Sequence, residues 1–162
     1  TALTIIGLLS LLFEIKNFDN TIQGSKLFWI AGLGGMVVAL IITLLLKAFQ
    51  PSVYDESKRR YTVHLGLFIG FFLVSAALSG FCNHHFATPT TICKNYVIER
   101  KSIGGHRSKE YFFILTIYNN EERFSVGQTR YDNFSEGEQI ELCMLKGKLG
   151  FDYVTEFNKV AK

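Results

Sequence analysis

Two long apolar runs decide most of what this chain can become. "LFWIAGLGGMVVALIITLLL", Leu27 to Leu46, is twenty residues without a charged side chain. "YTVHLGLFIGFFLVSAALSGF", Tyr61 to Phe81, is twenty-one, with His64 its only ionisable group apart from Tyr61. A hydrocarbon core of about 30 Å takes about 20 helical residues, so both runs have spanning length. One such run is compatible with the buried helix of a soluble protein. Two of them within 55 residues predict a transmembrane pair. "TALTIIGLLSLLF", Thr1 to Phe13, is apolar over only thirteen residues before Glu14 and Lys16. It is expected to be the second half of a third span that starts before Thr1. A signal peptide lacks support, since neither a basic leader nor a small-residue cleavage site is visible, and an interfacial helix is the other alternative.

Charge divides the chain. Residues 1 to 86 hold 6 of the 17 Lys and Arg and 4 of the 14 Asp and Glu, leaving 11 and 10 for the rest. The net charge of +3 is small and scattered, which argues against nucleic acid as a partner. The lipid bilayer is the expected partner of the first half, with a membrane protein or a second copy beside it. Basic residues in short loops favour the cytoplasmic side. The first loop carries Lys16 and Lys26; the second carries Lys47, Lys58, Arg59 and Arg60. The second loop is therefore expected inside, and everything after Phe81 outside, on a multi-pass protein of the cell membrane.

Small residues at four-residue spacing let helix backbones approach where lipid removes the hydrophobic drive for association. Ala31, Gly35 and Ala39 form such a face on the first long run, and Gly66 and Gly70 form one on the second. They are the expected helix-packing residues. His64, three residues from Tyr61 and four from Arg60, is expected to reach the headgroups rather than serve a function.

After the last run the pattern changes to short alternating stretches. "KNYVIERKS", "EYFFILTIY", "RFSVG", "QIELCML" and "FDYVTEF" read as five strands, separated by "IGGHRSK", "NNEE", "QTRYDNFSEGE" and "KGKLG" as turns, loops or a short helix. In "QIELCML", Ile140, Leu142 and Met144 should face inward. The expectation is an all-β antiparallel meander closing into a small barrel. The organisation is then a helical region at 1–86, with spans at about 1–13, 27–46 and 61–81, a linker at 87–93, the β-domain at 94–157 and a tail at 158–162.

The chemistry concentrates in "GFCNHHFATPTTIC". Cys82, His84, His85 and Cys93 supply four candidate zinc ligands, but no CxxC or HxxxH spacing arranges them tetrahedrally. The stretch reads better as a membrane exit and linker. The three cysteines are Cys82, Cys93 and Cys143. A closing sheet brings Cys93, before the first strand, toward Cys143 in the fourth, and an oxidising compartment favours a disulfide between them. Cys82 is left as an interface residue. Glycines in "SIGGHRSK" lack the strand–helix context of a phosphate loop, and no nucleophile–base arrangement is legible. No enzyme activity, cofactor or catalytic residue is expected. The leading expectation is a membrane protein whose outer β-domain binds a protein or stabilises an assembly. An accessory subunit of a channel or transporter, and a membrane-tethered thiol or metal protein, are the alternatives.

Overall fold

The computed structural model describes residues 2–105 and 109–160. Its elements are α1 (Ala2–Asp19), α2 (Gly24–Phe49), a 3-10 turn (Pro51–Val53), α3 (Ser57–His85), β1 (Thr91–Val97), β2 (Arg100–Gly104), β3 (Glu110–Ile117), β4 (Asn120–Val126), α4 (Gln128–Asn133), β5 (Gln139–Leu145) and β6 (Tyr153–Lys159). They make two compact units, one of Thr1–Phe18 with Ser25–Cys82 and one of Asp19–Gly24 with Asn83–Lys162.

In the first unit the helices outrun their apolar stretches, because charge ends lipid-compatible sequence without ending helical hydrogen bonding. α2 and α3 have 26 and 29 residues and are long and apolar enough to cross a membrane. At about 1.5 Å per residue they extend roughly 39 and 44 Å. α1 continues past Phe13 through Glu14 and Lys16 to Asp19, and these three charges keep it outside that description. Pro51 stops α2, since proline lacks the N–H that a further helical turn needs.

Glycines set the helix contacts. A Cβ on Gly35 would fall on the Phe71 carbonyl and crowd Ser75, so α2 meets α3 backbone to backbone there. Gly32 lies under the Phe72 ring, Gly70 faces Leu3 of α1, and Gly7 faces Leu73 and Val74. Thr4 Oγ1 donates to the Gly66 carbonyl at 3.3 Å. Ala39 is fully buried and Ala31 partly so. Of the expected packing residues, Gly35, Gly66 and Gly70 thus make helix contacts within this chain. Gly7, Gly32 and Gly80, against Phe18, also make close approaches that the four-residue pattern does not mark.

Among its described residues the second unit holds six strands rather than five. "KNYVIERKS" is not one strand. Its ladder breaks at Ile98 and Glu99, where the Ile98 N–H donates to the Glu138 carbonyl and the Glu99 N–H to the Ile114 carbonyl. The chain thereby leaves one sheet, of order β1-β5-β6, and enters another, of order β2-β3-β4. Every pairing is antiparallel. Among the described residues no ladder joins the sheets, so the expected barrel is corrected to two open three-stranded sheets. The β3–β4 reversal falls on Tyr118 and Asn119, both at positive φ, one residue before "NEE". The turn expected at "IGGHRSK" lies partly outside the described residues.

One apolar cluster serves both sheets. Phe113, Leu115, Ile117 and Phe124 come from one, and Ile140, Leu142, Met144 and Phe157 from the other. Ile140, Leu142 and Met144 alternate with Glu141 and Cys143, as the period of two requires. α4 closes one end through Phe134, and Lys101 Nζ donates to the Tyr131 and Phe134 carbonyls at its C-terminus while lying over the Tyr131 ring.

The same cluster takes Ile22, from the connection between α1 and α2. The Ile22 N–H donates to the Asp152 carbonyl at 2.9 Å, and the Val154 N–H to the Asn20 carbonyl at 2.8 Å. Thr21 bridges antiparallel to Tyr153. The connection is therefore tied to the β unit by backbone hydrogen bonds and a single isolated bridge. Beside it the Gln23 N–H donates to Glu122 Oε1 at 3.2 Å. Burial raises the Glu122 carboxyl above its ordinary range, with that hydrogen bond acting the other way. Burial also raises Asp19, and repulsion from Glu110 adds to it. A carboxyl raised in the folded state stabilises fully below its unfolded pKa, and that contribution is lost as pH rises through the folded one. Glu122→Gln keeps an acceptor for Gln23 but removes the charge. Chemical denaturation across acidic to neutral pH should show the variant losing less stability than wild type as pH rises, and matching or exceeding it at neutral pH.

Candidate functional site

The stretch that drew attention in the sequence folds as the last turn of α3 and the lead into β1. Helix continues through Cys82, Asn83, His84 and His85 instead of stopping at Phe81. Cys82 is a partly exposed free thiol. The His84 ring packs on Tyr153 at 4.3 Å between centroids, and His85 lies edge-on to Phe86 at 5.0 Å. The two histidines thus have different ring neighbours.

The residue between them and Cys82 is the most constrained of the four. Asn83 is fully buried. Its Nδ2 donates to the Phe151 carbonyl at 2.8 Å, and its Oδ1 accepts from the Leu149 N–H at 3.0 Å. Its own carbonyl accepts from the Lys148 N–H at 3.1 Å. One amide side chain therefore satisfies both a donor and an acceptor of the β5–β6 loop, from its separate carbonyl oxygen and NH2 group. Gly147 lies so close to the amide that a Cβ there would collide with it. The sequence reading missed Asn83. The signal available was a polar residue at the end of an apolar helix, followed far downstream by a Gly-rich turn.

Cys93 and Cys143 stand opposite each other in the β1–β5 ladder and are joined by a disulfide across a sequence separation of 50. Cys143 lies in the fifth strand, not the fourth. Their Cα atoms are 4.0 Å apart, the close spacing of a non-hydrogen-bonded antiparallel pair, in which the backbone N–H groups point away from the partner strand. Cys93 is exposed and Cys143 is 4% exposed. Asn158 Nδ2 approaches Cys143 Sγ at 3.8 Å, and a Glu141 carboxylate oxygen lies within 4.8 Å of both sulfurs. Among the described residues, Cys93, Glu141 and Cys143 are the one trio of ligand-type side chains so gathered. The expected metal candidates Cys82, His84 and His85 are not part of it.

His64 is held rather than simply snorkelling. The Tyr54 hydroxyl donates to the Thr43 carbonyl at 2.8 Å, and His64 Nε2 lies 3.1 Å from the same oxygen. A hydroxyl has one proton to give, so Nε2 carries the proton in this contact and donates to Tyr54. The three residues tie the turn after α2 to the start of α3, a structural use of an ionisable side chain.

Comparison with protein-family models finds no match, and neither does comparison with curated proteins, so any functional reading rests on these contacts.

Proposed function

We propose that the chain is a non-enzymatic, multi-pass membrane protein whose β unit lies outside the cytoplasm and serves protein interaction or assembly. Support for the membrane comes from the helices' surface. Only 22% and 28% of the apolar windows of α2 and α3 are buried within the protein. Leu33, Val37, Ile41 and Leu44 are each more than half exposed. A soluble protein hides such a helix, whereas lipid solvates it. The four-to-two bias of basic residues between the loops favours an inside position for the 3-10 turn. Because two long helices separate Asp19–Gly24 from Asn83, an even number of crossings returns both to one side, as their shared core requires.

The observation that carries the interaction role is the β1 edge. β1 ends the β1-β5-β6 sheet, and six of its seven residues are exposed, including Ile92 and Val97. A free edge is a template for a partner strand. Asn95 shares the orientation of Cys93, so its N–H points away from β5. Asn95→Pro therefore removes an edge donor while sparing the ladder. Affinity capture from detergent-solubilised native membranes should recover a partner, or a second copy, with the wild type and lose it with Asn95→Pro. A partner retained by the variant assigns binding elsewhere. The groove between α1 and α3, lined by Ser10, Phe13, Glu14, Ala77 and Phe81, then favours the second reading, a subunit seated against another protein's helices.

A further inference from the structure

We infer that the Cys93–Cys143 bond is an exchangeable disulfide that opens at Cys93 when an external dithiol attacks. This holds whether or not β1 pairs with a partner. The two sulfurs differ in ways that fix a direction. Cys93 lies on the exposed edge strand and Cys143 is covered. Attack needs an approach in line with the bond, and of the two residues it is Cys93 that is exposed to solvent. The leaving sulfur is then Cys143, which already has the Asn158 amide beside it at 3.8 Å. An N–H donor stabilises a departing thiolate.

The exchange balances without any group the protein lacks beyond that dithiol. A thiolate of the dithiol attacks Cys93 Sγ, the Cys93–Cys143 bond breaks, and its electron pair goes to Cys143 Sγ. Cys143 takes a proton from solvent. The dithiol's second thiolate then attacks the dithiol sulfur of the mixed disulfide and releases Cys93 as a thiolate, which also takes a proton from solvent. Two electrons pass to the protein, and the dithiol leaves as its own disulfide. Glu141 opposes the opening. Its carboxylate lies within 4.8 Å of both sulfurs and disfavours negative charge on either of them. Glu156 stands opposite Cys143 on β6 and adds charge of the same sign at that register position. The site thus pairs one element that eases departure with carboxylates that hold the bond closed. Such an arrangement suits a clasp between β1 and β5 that is set by the surrounding thiol pool.

The test uses full-length protein in detergent, with Cys82→Ser removing the competing free thiol. The protein is incubated with mixtures of reduced and oxidised glutathione, a monothiol that makes the first attack and leaves the mixed disulfide in place, then quenched with acid and mapped by peptide mass spectrometry. Circular dichroism checks that the fold is kept. The expected result is a glutathione adduct on Cys93 in the folded protein. Glu141→Gln should raise the rate of opening by about three- to fivefold, the size of one unit charge near 5 Å in water-like dielectric acting on the departing thiolate. Asn158→Leu should lower it. An adduct confined to Cys143, or opening seen only in denaturant, overturns the proposal and leaves the bond a static crosslink. The wild-type adduct position decides the matter even if a variant fails to fold.

Discussion

Valine at Gly35 is expected to uncouple α2 from α3, while alanine at the adjacent Gly34 is expected to do no harm. The two glycines are neighbours on one helix, yet project about 100° apart around it. Gly34 is exposed and a Cβ there meets nothing within 4 Å. At Gly35 the added Cβ collides with the Phe71 carbonyl, which is backbone and cannot rotate away, and lies 2.8 Å from Ser75 Cβ. Overpacking typically costs about 1 to 3 kcal/mol when side chains can yield. Against fixed backbone the cost should reach about 3 kcal/mol or more by the same reasoning. Gly34→Ala should instead gain about 0.5 to 1 kcal/mol from reduced backbone entropy and better helix propensity. Thermal unfolding in one detergent separates the outcomes. Equal effects of the two substitutions would show that the helices do not meet at Gly35.

Asn83→Leu is the second large effect, and it acts on the β unit. The substitution deletes two hydrogen bonds at a fully buried position and strands the Leu149 N–H and the Phe151 carbonyl. A group left without a partner costs about 1 to 3 kcal/mol when buried and less where water can replace the lost bond, as at the exposed Leu149, so a loss of about 2 to 4 kcal/mol is expected. Asn83→Asp keeps the acceptor for Leu149 but sets a carboxylate oxygen against the Phe151 carbonyl, and should destabilise at neutral pH at least as much as Asn83→Leu. Denaturant midpoints followed by tyrosine fluorescence measure both. An Asn83→Leu protein of wild-type stability would remove Asn83 from the account. His84→Ala gives the contrast, since that ring offers packing on Tyr153 at the surface.

How much of this was legible depends on the range of the interaction. Apolar length marked α2 and α3 because the signal is local, yet their ends were misread, since Lys47 and Phe49, or Cys82 to His85, continue a helix that hydropathy stops describing. The alternation of Ile140, Leu142 and Met144 identified a core face correctly. The number of strands did not follow. Ile98 and Glu99 lie in an unbroken strand-like stretch, and only their partners Glu138 and Ile114, far along the chain, divide it between two sheets. Cys93 and Cys143 could be paired in sequence because three cysteines leave few choices. Asn83 could not be singled out, because its role is set by carbonyl and N–H groups more than sixty residues away. The same holds for Ile22, whose place in the β core no loop composition announces.

That placement supplies the sharpest test of the account, whose central claim is that Asp19–Gly24 and the β unit share one side of a membrane, opposite the 3-10 turn. Single cysteines at the exposed positions Ser25, Ser52 and Thr116, on a Cys82→Ser background, are treated with a membrane-impermeant thiol reagent on intact cells. The prediction is that Ser25→Cys and Thr116→Cys label together from outside, and that Ser52→Cys labels only after permeabilisation. Labelling of Ser52→Cys together with Thr116→Cys before permeabilisation, or recovery of the protein in the soluble fraction, would contradict it.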